Sequence, residues 1–78
     1  MNEAKLKQSF SQSLGIPLEQ VQDGLTYATI KEWDSIGHMA LVAELEGAFG
    51  IVFEIDDIIA MSTVAKAREI LGKYGVAF

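Results

Sequence analysis

The 78-residue chain has no cysteine, which excludes disulfides, thiolate nucleophiles and cysteine-based zinc sites. Its one histidine, His38, rules out a multi-histidine metal centre as well. Basic residues are few: six Lys and Arg stand against eleven Asp and Glu, giving a net charge of -5 and a pI near 4.6. Such a surface repels nucleic-acid phosphates and anionic headgroups and favours a basic protein surface as partner. A membrane span is not expected. The most apolar stretch, residues 36–53, carries His38, Glu44, Glu46 and three glycines and reads as a water-exposed helix with its exit turn. The N-terminal run Met1 to Gln8 lacks the apolar core of a secretory signal, so a cytoplasmic protein is expected; a monomer is expected as well. With half its residues hydrophobic and a mean hydropathy of +0.25, the chain is expected to form one globular domain over 1–78.

The apolar residues repeat with the period of helices and nowhere alternate as in a strand. Leu6, Phe10 and Leu14 draw one stripe along a first helix, which Asn2 is placed to cap and Gly15 and Pro17 to stop. From Gly15 to Asp34 the period is lost, although Ile16, Leu18, Val21, Leu25, Tyr27, Ile30 and Trp33 keep the segment apolar. A connection of that length is expected to pack along the bundle with a short turn or two of helix. Asp34 is placed to cap a second helix from Ser35 to Ala48 or Phe49, ended by Gly50. Ile55, Ile58 and Ile59 mark a helical stub, with Met61 beyond it. Ser62 or Thr63 is placed to cap a last helix on which Val64, Ala67, Leu71 and Tyr74 share a face. The expected fold is all-α: a bundle of three main helices and one short one, with a long loop between the first two.

The second helix is apolar on two sides. His38, Leu41, Val42, Leu45, Ala48 and Phe49 make the face expected for a core, but Ile36, Met39, Ala40, Ala43 and Gly47 occupy the opposite side, with Glu44 and Glu46 at its edges. So small a bundle cannot bury all of one member. Either the long connection lies over this second strip, above all over Ile36, or the strip is a docking face with an acidic rim and an adaptable contact in Met39. Ser35 stands at the mouth of the same helix. Unpaired N–H groups there favour an attached phosphate, and Gly37 adds no side-chain bulk beside it.

The run Trp33-Asp34-Ser35-Ile36-Gly37-His38-Met39, continuing to Glu46-Gly47-Ala48-Phe49-Gly50-Ile51, resembles the acyl carrier protein family. Asp34-Ser35-Ile36 matches two positions of its Asp-Ser-Leu signature outright and the third by an apolar isomer. Phe49-Gly50-Ile51 with Phe53-Glu54-Ile55 is similar to the turn after its second helix, and Ser62-Thr63-Val64 to the start of its last. The resemblance implies an acyl-carrier-like four-helix bundle and a Ser35 hydroxyl linked to 4'-phosphopantetheine. Coenzyme A would donate the group through a phosphopantetheinyl transferase, and its thiol would hold acyl groups as thioesters. It also implies docking by Asp34, Ile36, Met39, Ala40, Ala43, Glu44 and Glu46 on basic patches of acyl-activating, synthase or acyltransferase enzymes. Leu41, Leu45, Phe49, Ile59 and Leu71 become candidates to shelter an acyl chain. Gly37, Ala40 and Gly47 stand where carriers of primary fatty acid synthesis often have acidic residues, so this face is less acidic. With Trp33 before the serine and Gly37-His38-Met39 after it, the chain looks more like stand-alone carriers of polyketide, modified-lipid or surface-polysaccharide pathways. The Gly-Gly-His-Ser run of peptidyl carriers is absent.

Three other readings compete. His38 is one turn from Ser35 and could activate it as a nucleophile, but Trp33 fills a position that a nucleophile elbow needs as glycine. Asp23-Gly24 suggests a calcium loop, yet Val21 and Ile30 fall at ligand positions and supply no side-chain oxygen; Asp56-Asp57 reads as a solvated helix face. A carrier-shaped adaptor, never modified and binding partners through its second helix, is the remaining alternative.

Overall fold

The computed structural model describes residues 1–78 and contains helices without strands. α1 spans Asn2–Leu14, α2 Ser35–Phe49, α3 Ile55–Ala60 and α4 Val64–Lys73, with a single 3-10 turn at Leu18–Gln20 in the long connection. One core joins them. Leu6, Phe10 and Leu14 of α1 meet Leu41, Val42 and Leu45 of α2 and Val64, Ala67, Ile70 and Leu71 of α4, closed by Ile16, Val21, Trp33, Phe53 and Met61 from the connections. The helical stripes read from the sequence are therefore the faces that pack.

Helix boundaries follow from backbone chemistry. Asp34 is extended (φ -104°, ψ -167°) and its side chain accepts from the Gly37 N–H at 2.8 Å, a cap worth about 1 kcal/mol. α2 ends where Gly50 turns left-handed (φ 66°), a conformation that other residues resist, and its N–H returns to the Glu46 carbonyl. Of the two candidate caps for α4 the structure selects Thr63, whose hydroxyl accepts from Lys66 N–H at 2.9 Å. The expected cap at Asn2 does not form. Asn2 is already the first residue of α1, and its amide donates to the Ala77 carbonyl at 2.7 Å, because the two chain ends meet there.

The long connection is structural. Ile16, Val21 and Trp33 are fully buried along it, while Leu18 and Tyr27 stay exposed. Its backbone also satisfies the start of α4: Val64 N–H donates to Leu25 O and Ala65 N–H to Asp23 O, both at 3.2 Å. With the Thr63 cap, three of the N–H groups that a helix start leaves without partners are thus taken. Tyr27 N–H adds a bond to Ser62 O at 2.8 Å.

α3 is the expected stub, but it buries little of its isoleucines. Ile55 and Ile59 are 73% and 75% exposed, and Ile58 alone turns partly inward. Polar ties hold the stub instead. The Tyr74 hydroxyl accepts from Glu54 N–H at 2.8 Å and donates to Asp57 at 2.6 Å, and Lys73 Nζ donates to the same carboxylate at 2.7 Å. Asp57 is therefore a half-buried partner of α4, not the solvated residue expected, and the Lys73 and Tyr74 bonds hold its carboxyl below the usual value.

Arg68 of α4 joins α1 and the long connection, donating to both oxygens of Glu3 at 2.8 and 2.7 Å and to Asp23 at 2.8 Å. Those bonds lower the Glu3 and Asp23 pKa values from 4.5 and 3.8. A carboxylate lowered in the folded state stabilises fully above its unfolded value and loses that contribution as pH falls through the folded one. Stability should accordingly decline below about pH 4.5. Arg68→Gln should lower the urea midpoint at pH 7 and flatten this acid limb; an unchanged limb would show that these pairs are screened into irrelevance.

Candidate functional site

The site is built around the first turn of α2, where the chain changes from buried to exposed within two residues. Trp33 is completely buried, its ring edge-on to Phe10 at 5.3 Å between centroids. Asp34 reverses the chain, and Ser35 emerges exposed as the first residue of the helix. Asp34 Oδ1 is committed to Gly37 N–H, and the Asp34 carbonyl accepts from His38 N–H at 2.8 Å. The N–H groups of Ser35 and Ile36 lie before the first of these bonds, beside the serine hydroxyl. They are suited to the negative charge of a phosphodiester on that oxygen.

Gly37 has a role that the sequence did not reveal. A Cβ at this position would lie 2.1 Å from the Glu32 carbonyl oxygen and 3.2 Å from the Leu14 side chain. The glycine lets the backbone before the serine close over the helix; clearing space for an attached group is not what requires it.

His38 packs as a half-buried residue with both ring nitrogens engaged. The Trp33 indole N–H donates to Nδ1 at 3.0 Å, and Nε2 lies 2.8 Å from the Ile58 carbonyl. The indole is donor only, so Nδ1 must be the acceptor and Nε2 must carry the hydrogen given to Ile58. The His38 and Trp33 rings are 21° from coplanar with centroids 6.2 Å apart, the side-by-side placement that an N–H···N bond needs. No ring nitrogen is left for Ser35, so the nucleophile and base considered from sequence are not assembled. Asp23, the acidic residue of the calcium reading, is held by Arg68.

The second strip of α2 is open. Ile36 is 81% exposed and Met39 58%, Ala40, Ala43 and Gly47 are exposed as well, and the long connection does not cover them. Glu44 and Glu46 are half-buried at the edges. Glu46 also has a structural task, one carboxylate oxygen accepting from Phe53 N–H at 2.9 Å and closing the turn after α2.

The structure redraws the set of candidate lining residues. Leu41, Leu45 and Leu71 have no exposure and belong to the closed core, while Phe49 is packed against Phe78 and under the Lys5 ammonium. An apolar recess of about 250 Å³ lies instead between the long connection and α3, bounded by Tyr27, His38, Ile58, Ile59, Met61 and Ser62. Of the candidates only Ile59 borders it. Tyr27, Met61 and Ser62 come from segments without periodicity, and no local pattern marks them.

An all-helical bundle with an exposed hydroxyl at a helix mouth, open apolar surface beside it and a recess one turn away defines a small carrier module. The residues fit the cofactor of such modules: an accessible oxygen to esterify, two N–H groups for its phosphate and no bulk over the serine. The chain belongs to the phosphopantetheine attachment site family, which matches it over residues 4–71 and whose domains carry covalently attached 4'-phosphopantetheine. No curated protein matches the chain, and no helix is long and apolar enough to cross a membrane.

Gly37→Ala tests the close approach at the site. Helix propensity alone would make alanine more stable by about 1 kcal/mol. Contact with a backbone oxygen should reverse the sign and cost roughly 1–3 kcal/mol in urea unfolding.

Proposed function

We propose that residues 1–78 act as one acyl carrier domain in which Ser35 bears the phosphopantetheine arm. The observation that supports this most is the exposed Ser35 at the first position of α2, directly after the Asp34 cap, in a chain of the attachment site family. The arm would supply a terminal thiol for carrying acyl groups as thioesters. Everything else falls to the chain itself. The first-turn N–H groups would hold the phosphate, Trp33 keeps the helix mouth fixed, and the chain performs no chemistry on its cargo.

Partners would approach along the open strip. Ile36, Met39, Ala40 and Ala43 give an apolar centre, and Asp34, Glu44 and Glu46 the negative charge that meets basic patches around the active sites of a phosphopantetheinyl transferase and of acyl-activating, synthase or acyltransferase enzymes. Few carboxylates border the strip and Gly37, Ala40 and Gly47 lie among them, so charge steers this docking less than apolar contact does. With that reduced acidity, we assign the domain to a stand-alone, monomeric carrier of a specialised cytoplasmic pathway of the fatty-acid-like, polyketide or surface-polysaccharide kind. The recess lies just under the volume usual for small-molecule sites and suits a short apolar segment.

Intact mass after incubation with coenzyme A, magnesium and a broad-specificity transferase should show one added phosphopantetheine, and Ser35→Ala should gain none. A wild-type chain left unmodified while a control carrier is converted would favour the adaptor reading. On the loaded chain, Met39→Glu or Ala43→Glu should weaken partner transfer by about 1 kcal/mol or more with helicity unchanged; loss of helicity would mean that the strip supports the fold.

A further inference from the structure

We propose that His38 is a positioning residue, a strut that sets the gap between the mouth of α2 and the end of α3 and so the opening of the recess that His38 and Ile58 line. Its bearing on cargo rests on the carrier reading above; the strut itself does not. α3 has six residues and none of them is fully buried, so apolar packing alone does not place it. Its beginning is tied by Tyr74 to Glu54 N–H and Asp57. Its end is tied by His38 Nε2–H to the Ile58 carbonyl at 2.8 Å, one of the carbonyls that a helix C-terminus leaves without an intrahelical donor. The only backbone donor to that carbonyl outside the helix, Met61 N–H, is 3.4 Å away.

The other side of the imidazole makes the tie directional. Trp33 has no exposure, and an indole N–H left unpaired in that position would cost its full desolvation. His38 Nδ1 accepts it at 3.0 Å, which forces the hydrogen onto Nε2, toward α3. The buried anchor before the attachment serine thereby selects the tautomer that holds α3. Tyr27, edge-on to the imidazole at 5.4 Å, closes the far side of the recess.

The unmodified chain suffices for the test. Nitrogen-15 spectra of the His38 ring should show an unprotonated Nδ1 and a protonated Nε2 near neutral pH; the opposite tautomer, or an equal mixture, would overturn the proposal. Trp33→Phe should shift the ring toward such a mixture. In His38→Ala, amide exchange at Ile58 and Met61 should quicken about ten-fold or more while α1 and the centre of α4 keep their protection. His38→Gln, which can still donate to the Ile58 carbonyl, should restore most of it. Unchanged exchange in α3, a uniform rise over all helices, or a glutamine variant no better than alanine would each refute the strut; should the alanine variant fail to fold, the wild-type tautomer and the glutamine variant decide. A failed strut leaves attachment at Ser35 intact, and a Ser35 that is never modified leaves these measurements as they are.

Discussion

A buried indole must dispose of its N–H, and Trp33 does so through the residue that starts the inner face of α2. This bond sets the rotation of that helix about its own axis. Successive residues of a helix are about 100° apart, so a slip of one position would take His38 away from the indole. The cost of an unpaired buried donor, about 1–3 kcal/mol, opposes that slip. Asp34 and Gly37 support the same register, one by capping the first turn and the other by admitting the Glu32 carbonyl. The exposed Ser35 thus opens a helix whose first turn is held by a residue buried two positions before it.

The rest of the molecule is arranged so that α2 can leave one side open. Its inner side meets α1 and α4 through Leu41, Val42 and Leu45. The long connection could have covered the outer strip but runs elsewhere, because its carbonyls are used at the N-terminus of α4 and its apolar side chains fill the end of the core. Arg68 fastens the same connection to α1. Hydrogen bonds between the long connection and the start of α4 thus help to keep the connection off the open strip.

Much of this was legible locally. The cap at Asp34, the stop at Gly50, the apolar stripes of α1, α2 and α4 and the place of Ser35 at the mouth of α2 each depend on residues within one or two turns, and the structure repeats them. The departures have one cause. Asn2, placed to cap α1, bonds the far end of the chain. The helical spacing of Ile55, Ile58 and Ile59 gives the stub but not the side it buries. Gly37 is constrained by the Glu32 carbonyl, not by an attached group. Trp33 and His38, five positions apart in the sequence, were visible as residues but not as a pair.

The sequence by itself determined the class of fold, the start and end of the helix that bears Ser35 and the charge of the surface around it, because capping, periodicity and net charge are properties of neighbouring residues. Tertiary structure decided which of two apolar faces of α2 is open, where the recess lies and what holds α3. Those outcomes depend on where a loop carbonyl, a tyrosine hydroxyl and an imidazole arrive from distant parts of the chain, and burial and hydrogen-bond satisfaction are settled only once every segment has its place.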